Sequence, residues 1–378
     1  LHTSYSFSAF DSIAQALDMA VAENVKVVGI NDFYTTDGYA EWATECAKRK
    51  LFPLFNIEFI SLNKDDQANG IRVNDPNNPG RTYLSGKGLA FPSILKDPYL
   101  SQLNNVKAES NRYVEKMCAK LNKLLTLCNA PFSISFAEVK ETLTKGNIRE
   151  RHLAKALRMK IAENFTAEAE HLAFYEKVFG GKALKSKLTN VAAVENEIRG
   201  NLLKAGGAAF VPENPEAFLD MEVVRQIIIN AGGIPTYPFL ADDPKGNFTD
   251  FEQDKVLVVE KLKQRGIASV EFITTRNTIA VLEDYASYCW NNGMVVTFGS
   301  EHNSPAMEPI TLYATKGAEL TPILKEINYK GACIVAAHQE LVRQGKKGYI
   351  DENGVADVAR RDEFVEMGHQ LINSPLIP

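Results

Sequence analysis

Residues 25–62 read VKVVGINDFYTTDGYAEWATECAKRKLFPLFNIEFISL. A short β-rich run (25–32) passes into a stretch with helical spacing (37–50), and that into a longer apolar, strand-like run (51–62). Strand, helix and strand in immediate succession form a βα unit, which implies a parallel sheet or barrel. Upstream, DSIAQALDMAVAE (11–23) predicts a helix capped by Asp11, with Ile13, Ala14, Leu17, Ala20 and Val21 on one apolar stripe. Asp37 is the expected cap of the second helix.

Outward from this unit the pattern breaks, then resumes. Residues 69–92, dense in Gly, Pro and Asn, predict a long ordered loop or hairpin-like excursion. A helical block follows over about 100–205, with Tyr113, Val114, Met117, Cys118, Leu121 and Leu125 on one helix face. From 221, helix and strand alternate again (MEVVRQIIINAGG, GIPTYPFL, DFEQDKVLVVEKLKQRG, ASVEFIT, TIAVLEDYASYCWNNG, MVVTFG). Gly ends three of these helices, as a left-handed cap residue does. The expected organisation is 1–99 as the first part of a barrel, 100–205 as a helical insertion, 206–315 as the second part and 316–378 as a helical C-terminal extension.

A net charge of −5 over 378 residues advertises no sequence-wide nucleic-acid surface. Five dispersed cysteines without a C-x-x-C pair predict free buried thiols in a reducing compartment. No signal peptide or membrane span is visible, so cytoplasmic is the favoured location. A removed leader stays open, because the chain does not begin with Met. Nothing in the sequence bears on the oligomeric state.

In β/α barrels, reactive groups gather where strands run out into loops. The polar residues at such positions are Asn31 and Asp32, Glu58, Tyr237, Glu271 running toward Arg276, and Ser300-Glu301-His302-Asn303, with His2 at the start. Carboxylates and imidazoles converging at one mouth suit Zn, Mn or Fe. Each has a plainer reading. Asp32 serves equally as a turn residue, and Glu301-His302 as an ordinary polar loop. The helical histidines His152, His171, His338 and His369 read as packing or surface residues.

Taken in order, LHTSYSFSAFDS, VVGINDFYTTDGYAEW, FPLFNIEF, GGIPTYPF and TFGSEHNSP resemble the motifs of the PHP (polymerase and histidinol phosphatase) family over about 1–62 and 220–315. The resemblance implies a distorted (β/α)7 barrel and a divalent-metal-dependent phosphoesterase. It places His2 on the second histidine of the opening His-x-His, Glu58 on the bridging glutamate and Glu301 on the aspartate of Gly-Ser-Asp-x-His. These three are the implied metal ligands, with Zn, Mn or Fe as the ion. Three departures stand out: Phe33 replaces the histidine of Thr-Asp-His, Tyr237 replaces that of Ala-His-Pro, and His302 falls one residue early, with Asn303 in its place. The retained set accommodates one ion or none.

The function implied is hydrolysis of a phosphorylated small molecule at an altered metal site. His302, Tyr237 and Asp32 are the candidate catalytic residues. Arg81, Arg151 and Arg276, joined by Asn303, are candidates for gripping phosphate, since a guanidinium matches its oxygens bidentately. A PHP-like barrel without catalysis, acting as a ligand-binding or regulatory module, is the alternative. A barrel isomerase or aldolase with a single ion ranks third.

Overall fold

The structure is a computed structural model that describes residues 1–212, 218–243, 245–300, 302 and 307–374. The N-terminal unit runs α1 (Ile13–Ala22), β1 (Val27–Phe33), α2 (Tyr39–Arg49), β2 (Phe52–Leu62), α3 (Lys64–Ala68) and β3 (Arg81–Lys87). A helical block follows: α4 (Tyr99–Leu127), α5 (Phe136–Leu143), α6 (Glu150–Asn164), α7 (Glu168–Val178) and α8 (Val191–Ile198). The alternation then resumes with β4 (Leu219–Asp220), α9 (Met221–Asn230), β5 (Ile234–Phe239), α10 (Lys255–Gln264), β6 (Ser269–Ile273), α11 (Ile279–Asn291) and β7 (Val295–Gly299). A small β8–β9 pair (Tyr313–Ala314 and Ala318–Glu319) precedes α12 (Pro322–Arg343) and α13 (Arg361–Asn373).

One sheet organises the molecule, in the order β1-β2-β3-β5-β6-β7 with β4 appended to β2. It curls into a half-barrel. Pairings β1–β2, β5–β6 and β6–β7 are parallel, as the βα pattern predicts. Strand β3 is not. It runs antiparallel between β2 and β5, with Ser85 opposite both Glu58 and Thr236. The expected loop of residues 69–92 therefore contains a central strand. Its seven residues, RTYLSGK, are too short to show a clear period, and flanking turn residues hide them.

Two expected caps are also corrected. Ser12, not Asp11, caps α1 by accepting from Gln15 N. Gly38, not Asp37, stands at the start of α2, while Asp37 pairs with Lys107 of α4. The three glycine stops hold: Gly232, Gly266 and Gly293 have φ of +78°, +68° and +83°. All five cysteines are free and buried.

Three apolar clusters follow from this layout. The largest packs α1, α2 and α9–α11 onto the outer face of the sheet. A second lies wholly within the helical block, where Val114, Met117, Cys118, Leu121 and Leu125 of α4 meet α6, α7 and α8. The third fixes α12 and α13 beneath the half-barrel. There Gln339 of α12 accepts from Phe55 N and donates to Pro53 O of β2. Asn328 accepts from Phe298 N of β7. Among the described residues, no helix is long and apolar enough to cross a membrane.

Two stability predictions follow from the α12 contact. A Cβ at Gly331 would lie 1.8 Å from the Val296 carbonyl oxygen. Gly331→Ala should cost about 1–3 kcal/mol, read as a lower urea midpoint, whereas Gly200→Ala, where a Cβ meets open space, leaves the midpoint unchanged. The second concerns His338, whose Nδ1 accepts from Tyr349 N and whose Nε2 faces Gly232 O. Burial pulls this imidazole down to about 4. The unfolded chain protonates it near its ordinary value of about 6.5, so between those values the unfolded state binds more protons. Stability should fall as pH drops from about 6.5 to about 4, by up to roughly 3 kcal/mol, and His338→Gln should flatten that slope in a urea series.

Candidate active site

Side chains alternate between the two faces of a strand. From β1, Gly29, Asn31 and Phe33 line a cavity of about 1680 Å³ that takes in the half-barrel interior and reaches out to α4, α12 and α13. From β2 come Leu54, Asn56, Glu58 and Ile60, from β6 Glu271 and Ile273, and from β7 Thr297 and Gly299. Because β3 runs the other way, Arg81 and Tyr83 stand near the mouth and Lys87 lies deep.

His2 enters this cavity from the loop that precedes α1. Its Nε2 lies 3.4 Å from Glu58 Oε2, and Asn31 Nδ2 donates to the same oxygen at 3.3 Å. The Phe33 ring lies face to face with the imidazole at 5.3 Å and 9°, and Phe7 packs on it at 4.6 Å. Burial lowers the His2 pKa well below its ordinary value, and the Leu1 ammonium, then Arg151, Arg149 and Lys87, push the same way.

Asp32 has the opposite parity and faces away from the cavity. It is 1% exposed and accepts from Thr3 N (2.7 Å), Thr3 Oγ1 (2.6 Å) and Ser6 Oγ (2.5 Å). Those bonds hold the turn that carries His2, so the geometry gives Asp32 a positioning place rather than a place among reacting groups. Tyr237 also lies outside the cavity. Its hydroxyl donates to Glu252 Oε1 at 2.7 Å, and Leu240 N and Ala241 N donate to the same carboxyl group. Burial pushes Glu252 up to about 7 and Tyr237 well above its usual value. His302 is turned away as well: it is buried, stacks on Phe10 at 4.9 Å and sits 2.7 Å from Glu308 O. None of the three candidate catalytic residues is brought to His2 and Glu58. Glu301 and Asn303 lie outside the described residues.

The predicted arginines fare differently. Arg81, Arg151 and Arg276 all line the cavity. Arg81 lies 3.5 Å from Asp75 and over the Phe218 ring, and Arg151 lies over Phe7. Arg149, which sequence reasoning missed, lies over Phe33 at 5.0 Å. It directly precedes α6, a helix without a Ser, Thr, Asp or Asn cap to flag its start. The preceding loop is stitched to the mouth. Asn147 Nδ2 donates to Phe33 O at 2.7 Å, and Lys145 N donates to Ser4 O. Arg199, on a π turn after α8, pairs with Glu150 at 2.7 Å. Burial alone would raise the Glu150 carboxyl. The ion pair with Arg199, then the charges of Arg149 and Arg151, outweigh it and bring the group down to about 2.

Deeper inside, Lys87 Nζ lies 2.7 Å from Glu271 Oε1 and is 4% exposed. Sequence reasoning missed Lys87 because it fell within the expected loop. Could this interior hold a divalent ion? His2 Nε2 and Glu58 Oε2 have a separation that two ligands of one ion adopt. Yet among the described residues no group of three His, Cys, Asp or Glu is assembled. Zn, Mn and Fe sites draw on three or more protein donors, and here Glu271 is already neutralised by an ammonium. The described donors do not fit a multi-ion centre.

Asp32→Asn tests the positioning role. It turns an acceptor of three hydrogen bonds into a group that presents N–H to other donors, at a cost of about 1–3 kcal/mol. Hydrogen exchange should show protection lost over residues 2–8, with β5–β7 unchanged. Uniform exchange in both proteins would contradict the role.

No family model and no curated protein matches the chain. Solved structures do. An amidohydrolase from Chromobacterium violaceum, with bound sulfate and no metal, aligns at a TM-score of 0.54 and 16% identity, over 86% of this chain and 93% of that one. A proposed metal-dependent phosphoesterase from Bifidobacterium adolescentis aligns at 0.53 and 16%, over the same shares. At that identity the likeness is one of fold: the chain shares an α/β half-barrel architecture with these two proteins.

Proposed function

We propose that this chain is a PHP-like barrel, of the distorted (β/α)7 type, that binds a phosphorylated small molecule at its mouth and lacks the family's multi-metal centre. The cationic first turn of α6 carries the reading. It sets Arg149 and Arg151 over the two aromatic rings that enclose His2, beside Arg199, so that three guanidinium groups gather around the one carboxylate of Glu150. Guanidinium groups so gathered favour a dianion with several acceptor oxygens. The amidohydrolase of similar fold holds sulfate, a tetrahedral dianion, without metal. In this reading residues 100–205 form the wall that brings Arg149 and Arg151 to the barrel parts, 1–99 and 206–315, with 316–378 as an extension beneath. Arg81 and Arg276 line the same cavity and are the further phosphate candidates.

A phosphoesterase reading of the same mouth has one observation in its favour, the 3.4 Å approach of His2 to Glu58. The fate of the bound ester separates the two. Calorimetry with phenyl phosphate should show saturable binding, and Arg151→Met should weaken it by about tenfold or more, the worth of one charge-assisted contact. Unchanged affinity in Arg151→Met would count against the site. Release of phosphate with turnover, lost in Glu58→Gln, would replace the binding module with the hydrolase.

A further inference from the structure

We infer that the positive charge a metal-dependent hydrolase draws from a bound ion is supplied in this chain by fixed side chains, so that anion binding at the mouth is independent of divalent metal. The inference rests on the phosphate-binding reading above. Three observations converge on it.

The first is Lys87. Its ammonium is buried within the barrel interior and bonded to Glu271, so the carboxylate on β6 is already satisfied by a resident cation. Gly299 on the next strand leaves the room: a Cβ there would come within 3.3 Å of the Glu271 carboxyl group. The second is Phe33. Its ring covers one face of His2, and Asn147 fixes its backbone, so an apolar surface stands where a further donor would have to enter. The third is the sign of the surroundings. Arg149 and Arg151 stand over the Phe33 and Phe7 rings that enclose His2, and Lys87 lines the same cavity, so these charges would repel a dication bound to its imidazole. Among the described residues, Glu58 is an acidic group bonded to His2, and Asn31 already donates to it. The cavity thus suits an anion and disfavours a small cation.

The test needs no knowledge of the natural ligand. Wild type and Lys87→Met are stripped with EDTA, desalted, incubated with excess Mn or Zn and desalted again. Bound metal is read by elemental analysis and inorganic phosphate binding by calorimetry. Wild type should retain no stoichiometric metal, and its phosphate affinity should agree within about twofold before and after metal treatment. Lys87→Met leaves the Glu271 carboxylate without its resident cation and should weaken phosphate binding by about tenfold or more, and it gains no metal because it adds no donor to His2 and Glu58. The double variant Lys87→Met/Glu271→Gln removes both charges together, serves if the single variant does not fold, and should gain none. Stoichiometric metal in wild type, with phosphate binding lost by about tenfold or more on chelation, overturns the inference. A folded Lys87→Met with unchanged phosphate affinity also overturns it. Absence of phosphate binding in every arm, with or without metal, instead sinks the reading of the mouth on which the inference stands.

Discussion

A charged amine inside a barrel constrains everything around it. Lys87 rises from the floor of β3 to Glu271 on β6, past the intervening β5, and ties the two strands from within. Such a pair is weak evidence of net stability, because removing two charges from water costs about what their attraction returns. Its effect here is on specificity. With the ammonium in place, the interior has one settled charge pair. The His2–Glu58 contact sits above it and the arginines of the insertion stand above that.

Direction of the chain in β3 makes this possible. A parallel strand would carry its last residues to the mouth. The antiparallel β3 instead presents Arg81 and Tyr83 there and buries Lys87. Gly88 then turns the chain tightly against Val335 of α12, with φ of +65°. One reversed strand thus decides both which cations reach the mouth and which one lies within.

Much of the architecture was legible in residues 25–62 and 221–299, where the alternation of periods and the Gly stops mark strands and helices without ambiguity. Strand β3 was not, since turn-forming residues on both sides outweigh seven residues of weak pattern. Within the site, Glu58 was legible because an acid in an apolar run needs a partner, and His2 supplies one. Tyr237 and Asp32 misled because motif order carries no information about parity. Both lie on the right strands, and both face the outer layer. Arg149 and Asn147 escaped notice because their role depends on contacts across more than a hundred residues, with Asn147 meeting Phe33, and no local pattern encodes these.

The bond from Gln339 to Phe55 has a consequence for the order of assembly. Its partners are 284 residues apart, so the β1–α2–β2 unit stays without its floor until α12 has been made. Contacts this distant in sequence raise contact order and slow folding. The inner edge of the nascent sheet remains uncovered for most of synthesis, a state in which exposed strands invite wrong pairing. The helical block has an apolar cluster of its own, drawn from residues 114–209, and can gather locally during that wait. The mouth is therefore among the last features to form, because it needs a finished barrel beneath it and a finished insertion above.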